Sequence, residues 1–201
     1  MSTMKLDDAP FEITEVPCGN GIIGLSSCPG LYTDDQRTFR HGGTVHRSDL
    51  EQDLSSILLW GATAVVTMLE EHEFWHLGVG KLGSRVVALG MQWYHLPVTD
   101  MSVPGDEFEE LWQDAGPEIS RLLDNRKKIL IHCHHGHGRT GTLAACLLID
   151  SGYDAEAAIR KVRERRERCV RTSGQQQYVW DYARRVWRVA ARSKQVAVDE
   201  Y

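Results

Sequence analysis

The segment Ile129–Thr142, ILIHCHHGHGRTGT, sets a cysteine and an arginine apart by five residues, among three glycines and a cluster of histidines. Cys133 ends an apolar, β-branched run, and Arg139 opens an apolar helical one. A thiol at such a junction lies under the N–H groups of a helix start. There its pKa falls from about 8.5 to roughly 3.5–7.5, which makes it a thiolate at neutral pH. The same N–H groups suit the oxygens of a phosphate. Arginine offers a planar fork that matches two of those oxygens, which a lysine point charge does not. The chemistry implied is attack of the Cys133 thiolate on a phosphate ester held by Arg139. His134, His135, Gly136, His137 and Gly138, with Thr140, would form the cradle. Glycines let the backbone curl and come close to the phosphate. The Thr140 hydroxyl is placed to steady the sulfur when it leaves. The plain alternative is a glycine-rich turn around an ordinary buried cysteine, and the flanking strand and helix speak against it.

Such a loop needs a scaffold to hold it. Short apolar runs alternate with helical stretches along the chain, the pattern of an α/β layer fold. Gly61–Glu70 reads as a buried strand, Ser84–Val98 contains a second, and Lys127–Cys133 a third. The runs are apolar without alternation, as in parallel strands covered on both faces. A single domain with a central, mainly parallel sheet flanked by helices is expected. Ser48 is suited to cap a helix through Leu50, Leu54, Ile57 and Leu58. Phe108, Leu111, Trp112, Ala115, Ile119 and Leu122 recur at helical spacing, with Gly116-Pro117 expected to kink or split the segment. TGTLAACLLID, after Arg139, is apolar nearly all round and reads as a central buried helix. Asp154 suits the cap of the next helix, and Ser173–Arg192 reads as a long final one. Residues 1–10 and 192–201 are expected to be loose ends around a domain at 11–191.

The 201 residues, 42% hydrophobic and 25% charged, fit one soluble domain. No apolar run nears the roughly 20 residues that span a bilayer, so no membrane insertion is expected. The polar, acidic start MSTMKLDDAP lacks a signal-peptide layout, and a cytoplasmic location is expected. A net charge of −5 argues against a general nucleic-acid binder. Five scattered cysteines without a C-x-x-C pair suggest neither a disulfide framework nor a zinc finger. Cys146 falls in the apolar helix and reads as core, whereas Cys18 and Cys28 stay open. Arg160–Arg171, RKVRERRERCVR, reads as a solvated helix face with Arg/Glu pairs or as a docking surface for an acidic partner. Histidines beside a cysteine raise the question of a metal. Side chains of a loop whose amides point inward diverge, so no metal and no cofactor is expected. His132, just before the nucleophile, reads as ordering the loop through hydrogen bonds.

His132–Gly141 resembles the signature loop of the protein tyrosine phosphatase superfamily, and the order of elements resembles its dual-specificity branch. GLSSCPG at residues 24–30, VVTMLEEHEF at 65–74, HLPVTD at 95–100 and QQQYVWDY at 175–182 follow the order of the cyclin-dependent-kinase-associated phosphatase group. The resemblance spans roughly residues 20–190. It implies metal-independent hydrolysis through a phosphocysteine, with an aspartate on a mobile loop as general acid. Asp100, 33 residues before Cys133, suits that role, with Asp106 as the second candidate. TSGQQQY resembles the glutamine-bearing loop that positions the hydrolytic water, which points to Gln175. Arg171 stands where that pattern has an earlier glutamine, and a polar residue at an ordinary helix start is an equal reading. His134 and His137 occupy positions where a lipid-phosphatase branch carries lysines, although imidazole is only partly charged at pH 7. The substrates implied are phosphotyrosine proteins, with phosphoserine or phosphothreonine, or else inositol phosphates. A phosphate-binding pseudophosphatase is the alternative of another class, opposed by the presence of Cys133, Arg139 and Asp100. The sequence does not indicate an oligomeric state.

Overall fold

A computed structural model describes residues 11–32, 46–47 and 49–199. Five strands build one mixed sheet: β1 (Thr14–Cys18), β2 (Gly21–Ser26), β5 (Ala62–Thr67), β6 (Gln92–His95) and β7 (Lys128–His132). Their order is β1-β2-β7-β5-β6. The two short strands β3 (Leu31–Tyr32) and β4 (His46–Arg47) pair separately. Only β1 runs antiparallel in the main sheet, joined to β2 by a two-residue turn. Gly19, at its first position with φ of +56°, gives that turn the left-handed start that a tight hairpin requires. The remaining four strands are parallel, as expected for the apolar runs.

Successive residues of the central strands point to opposite faces, and each face has its own core. Val66, Ile129 and Ile131 pack with α4 (Asp106–Asp124), α5 (Gly138–Asp150), α6 (Ala155–Arg165) and the start of α7 (Ser173–Asp199). Val65 and Leu130 pack with α1 (Leu50–Trp60), α2 (Glu71–Leu77) and α3 (Leu82–Ala88). The central helix is α5, buried from Arg139 to Ile149.

Several helix ends differ from their sequence expectation. Asp49 caps α1, its carboxylate accepting from the Glu51 amide at 2.9 Å, while Ser48 lies outside the described residues. Residues 1–10 lie outside them as well. Gly116-Pro117 neither splits nor ends α4, which runs unbroken through Pro117. The buried stripe of Phe108, Ala115, Ile119, Leu122 and Leu123 anchors the helix on both sides of the proline, so packing outweighs the missing hydrogen bond. Leu111, counted in that stripe from spacing alone, is exposed. Asp154 caps α6 as expected, accepting from the Ala157 amide at 2.7 Å. α7 continues past Arg192 to Asp199.

Register places the site. Ser26 of β2 and Thr67 of β5 both pair with His132 of β7, so three parallel strands end on one line. At the carboxyl ends of parallel strands, loops gather where ligands bind in open α/β sheets. Here the segments that follow the parallel strands carry Cys28, Glu73, Asp100 and Cys133.

Candidate active site

The loop from Cys133 to His137 links β7 directly to α5, with His137 at the helix N-cap. Gly136 holds φ of +71°, and a Cβ there would collide with the Ser26 carbonyl at the end of β2. Gly138 lies against the Gln175 amide, 3.0 Å from where its Cβ would stand. A Cβ on Gly141 would come within 2.5 Å of the Cys169 Cβ. Sequence reasoning assigned these glycines to close approach of a phosphate. Neighbouring protein segments pressed against the outside of the loop crowd these positions as well. The Cys28 amide adds a hydrogen bond to the His134 carbonyl at 3.0 Å.

Arg139 is buried, and its guanidinium is almost fully engaged. Nη1 donates to Glu73 Oε2 at 2.5 Å, to the Val98 carbonyl at 2.9 Å and to the Met68 carbonyl at 3.1 Å. Nη2 donates to Glu73 Oε1 at 2.9 Å and lies 3.0 Å from Asp100 Oδ1. Burial opposes the charge on Glu73, but the Arg139 hydrogen bonds and the Glu70 amide outweigh it and hold its carboxyl below the usual range. The same pairing, set against burial, holds the guanidinium charged. Two donors of Arg139 therefore remain for a ligand. One is Nε–H, buried without a hydrogen-bond partner, and the other is the second N–H of Nη2, the nitrogen that lies 3.0 Å from Asp100 Oδ1.

Asp100 thus stands beside the arginine, its side chain half exposed. It is followed by Met101 at φ of +60°, an uncommon conformation for a residue with a side chain. Asp106 is exposed in the first turn of α4. Glu73 escaped sequence analysis. Its signal was the glutamate pair of LEEHEF, a reciprocal cap in which Glu73 accepts from the Glu70 amide at 2.9 Å at the start of α2.

His132 is fully buried beneath the loop. Its Nε2 lies 2.8 Å from Thr67 Oγ1, which accepts from Trp93 Nε1 at 2.9 Å. Nδ1 lies 3.4 Å from the Cys133 carbonyl, which can only accept, so a neutral ring with its hydrogen on Nδ1 accepts the threonine proton at Nε2. Burial agrees, lowering His132 from 6.5 to about 4. A depressed folded-state pKa gives stability that is complete above about 6.5 and is lost as pH falls toward 4, worth about 3 kcal/mol. Urea unfolding at pH 7.5 and 4.5 is expected to show a larger loss for the native chain than for His132→Gln. Equal losses would place the acid sensitivity elsewhere.

The loop histidines depart from expectation. Burial lowers His134, and burial with His134 nearby takes His135 down to about 4. Their rings stack, with centroids 4.0 Å apart. His137 is buried and borders a cleft with Thr14, Arg165 and Arg166 rather than an open rim. Burial thus favours the neutral form of His134, one of the two histidines at the lysine-bearing positions, and of its neighbour His135.

Thr140 is buried with no hydrogen-bond partner for Oγ1. Gln175 is buried and uses both ends of its amide: Oε1 accepts from the Arg171 and Thr172 amides at 2.9 and 3.2 Å, and Nε2 donates to the Ser102 carbonyl at 2.9 Å. It thereby ties α7 to the loop that carries Asp100. Cys18, Cys28, Cys146 and Cys169 are buried and unpaired, and burial raises each thiol pKa.

Comparison with known proteins agrees with this geometry. The family described as "Polymorphic toxin system, DSP-PTPase phosphatase" matches residues 46–153, more than half of the chain. Cyclin-dependent kinase inhibitor 3 of Rattus norvegicus is 25% identical over 182 residues, covering 88% of this chain and 77% of that protein. A crystal structure of kinase-associated phosphatase, its catalytic cysteine replaced by serine, superposes with a TM-score of 0.75 at 22% identity, covering 89% of this chain and 97% of that one. A structure of PTPMT1 with PI(5)P superposes at 0.59 with 18% identity, covering 85% and 95%. The chain belongs to the DSP-PTPase family, within the dual-specificity branch of the protein tyrosine phosphatases, and is a cysteine-dependent phosphatase.

No helix among the described residues is long and apolar enough to cross a membrane.

Proposed function

We propose that the chain hydrolyses phosphate monoesters, chiefly phosphotyrosine in proteins, through a phosphocysteine on Cys133. One observation carries the reading. Ser26 Oγ, His134 Nε2, Arg139 Nε and Thr140 Oγ1 are buried without hydrogen-bond partners, and all lie on or against the Cys133–Thr140 loop. Unpartnered buried polar groups are costly and rare, and an anion seated in the loop would satisfy several of them.

An entering phosphate takes Arg139 Nε–H and the second N–H of Nη2, the nitrogen now paired with Asp100. That exchange frees Asp100 to turn to the ester oxygen. The Cys133 sulfur attacks phosphorus, a P–S bond forms as the P–O ester bond breaks, and Asp100 in its acid form gives its proton to the leaving oxygen. Water then attacks the phosphocysteine, Asp100 takes a proton from that water, and the P–S bond breaks with the electron pair returning to sulfur. Thr140 Oγ1 supplies a hydrogen bond to that departing thiolate. Gln175, with its amide engaged on both sides, acts by holding the acid loop in place rather than by presenting a free amide to the water.

Inositol phosphates are the second reading, favoured by the arginines that flank the loop. The test offers a phosphotyrosine peptide, a phosphothreonine peptide and an inositol phosphate at equal concentration in the presence of a chelator. The highest kcat/KM is expected for phosphotyrosine, with the chelator without effect. Loss of turnover on chelation, or a higher value for the inositol phosphate, would overturn the respective part.

A further inference from the structure

Asp100 stands at the crest of the segment 96–105, which joins β6 to α4. The shoulders of that segment are buried, Leu96 and Val98 on one side and Pro104 on the other, while Thr99, Asp100, Met101 and Ser102 are exposed. The Ser102 amide donates to the Thr99 carbonyl at 3.0 Å, so these four residues form a tight turn with Asp100 second and Met101 third. Met101, at φ of +60°, fills a position that favours glycine or asparagine. A turn strained in this way persists only where its surroundings hold it.

Both ends of the turn are held. On the α7 side, Gln175 Nε2 donates to the Ser102 carbonyl at 2.9 Å. On the α2 side, Thr99 Oγ1 donates to Glu70 Oε1 at 3.0 Å. Glu70 is the N-cap of α2, and its amide donates to Glu73 Oε2 at 2.9 Å. The Glu73 carboxylate in turn holds Arg139, which donates to the Val98 carbonyl and pairs with Asp100. The contacts close a ring that runs Thr99, Glu70, Glu73, Arg139, Asp100. Within it, the pairing of Arg139 with Asp100 is given up when a phosphate enters. The bond from Thr99 to Glu70 uses no group that the phosphate takes, so it stays in place while Asp100 changes partner.

We propose that Thr99 and Glu70 are positioning residues for the general acid. Their hydroxyl-to-carboxylate bond fixes the turn, so that Asp100, once released by Arg139, meets the leaving oxygen. This deepens the phosphatase reading above and rests on it. Neither residue is a reacting group. A hydroxyl donating to a carboxylate makes one of the stronger hydrogen bonds, and its loss broadens the range of positions open to Asp100. Proton transfer is the step that suffers, because donor and acceptor must come within about 2.6–3.2 Å of each other.

The test compares Thr99→Val, which keeps the shape and loses the hydroxyl, with Thr99→Ser, which restores it. The readout is kcat/KM for a phosphotyrosine peptide divided by that for p-nitrophenyl phosphate, because the tyrosyl oxygen depends far more on the proton. In Thr99→Val this ratio is expected to fall roughly tenfold, as for loss of one hydrogen bond to a charged group, and in Thr99→Ser to return close to native. Glu70→Ala is expected to lower it by a similar factor and, combined with Thr99→Val, no further, as for two halves of one interaction. Additive losses would overturn the pairing. A native ratio in Thr99→Val, or a Thr99→Ser variant equally impaired, would overturn the positioning role. So would an equal fall for both esters, which reports general damage to the site. If the native chain hydrolyses neither ester, the phosphatase reading fails instead. Hydrogen exchange at the Ser102 amide then decides whether Thr99 holds the turn, faster in Thr99→Val than in the native chain if it does and equal if it does not.

Discussion

Cys133→Ser is expected to lower turnover by at least ~10⁴-fold while leaving phosphate binding in place. A serine hydroxyl occupies nearly the same space, but it is scarcely ionised near neutral pH and leaves phosphorus poorly. Nothing that shapes the cradle depends on the sulfur. Arg139 is fixed by Glu73, and the loop is fixed by the contact of Gly136 with β2 and the bond from Cys28. Steady-state kinetics should therefore show loss of kcat, and calorimetry with a phosphopeptide should show retained affinity. Appreciable turnover by the serine variant would remove the nucleophile from the account.

Asp100→Ala is expected to slow esters with poor leaving groups by about 10²–10⁴-fold and to affect activated aryl esters far less. A nitrophenolate leaves without a proton, whereas a tyrosyl or alkyl oxygen needs one. The placement of Asp100 Oδ1 3.0 Å from Arg139 Nη2 sets the acid beside the bound phosphate. Asp106→Ala is expected to leave rates nearly unchanged, because Asp106 is exposed in the first turn of α4, where its charge favours the helix dipole. A leaving-group series run on both variants separates them. The same dependence appearing in Asp106→Ala, and not in Asp100→Ala, would reverse the assignment.

How much of this was legible in sequence follows from the range of each interaction. The strand ending at Cys133 and the apolar α5 are local patterns, and they were read correctly. The β1–β2 hairpin was missed as an element, since its antiparallel pairing rests on the Gly19-Asn20 turn in a stretch with few apolar repeats. Proline at 117 misled because local propensity lost to the buried stripe around it. Glu73 lies 66 residues from its partner Arg139, and only the fold joins them. The histidines misled in another way. Their type suggested partial charge, and the burial that lowers His134 and His135 is set by the fold rather than by their own sequence.

The covalent step is tested most directly by rapid quench of the native chain into alkaline detergent during turnover, where both P–S and P–N bonds survive, followed by sequencing of the tryptic peptide Ile129–Arg139 by mass spectrometry. One phosphoryl group on Cys133 is expected, absent from Cys133→Ser. A phosphoryl group on His134, His135 or His137, or turnover with none on the peptide at any quench time, would contradict the account.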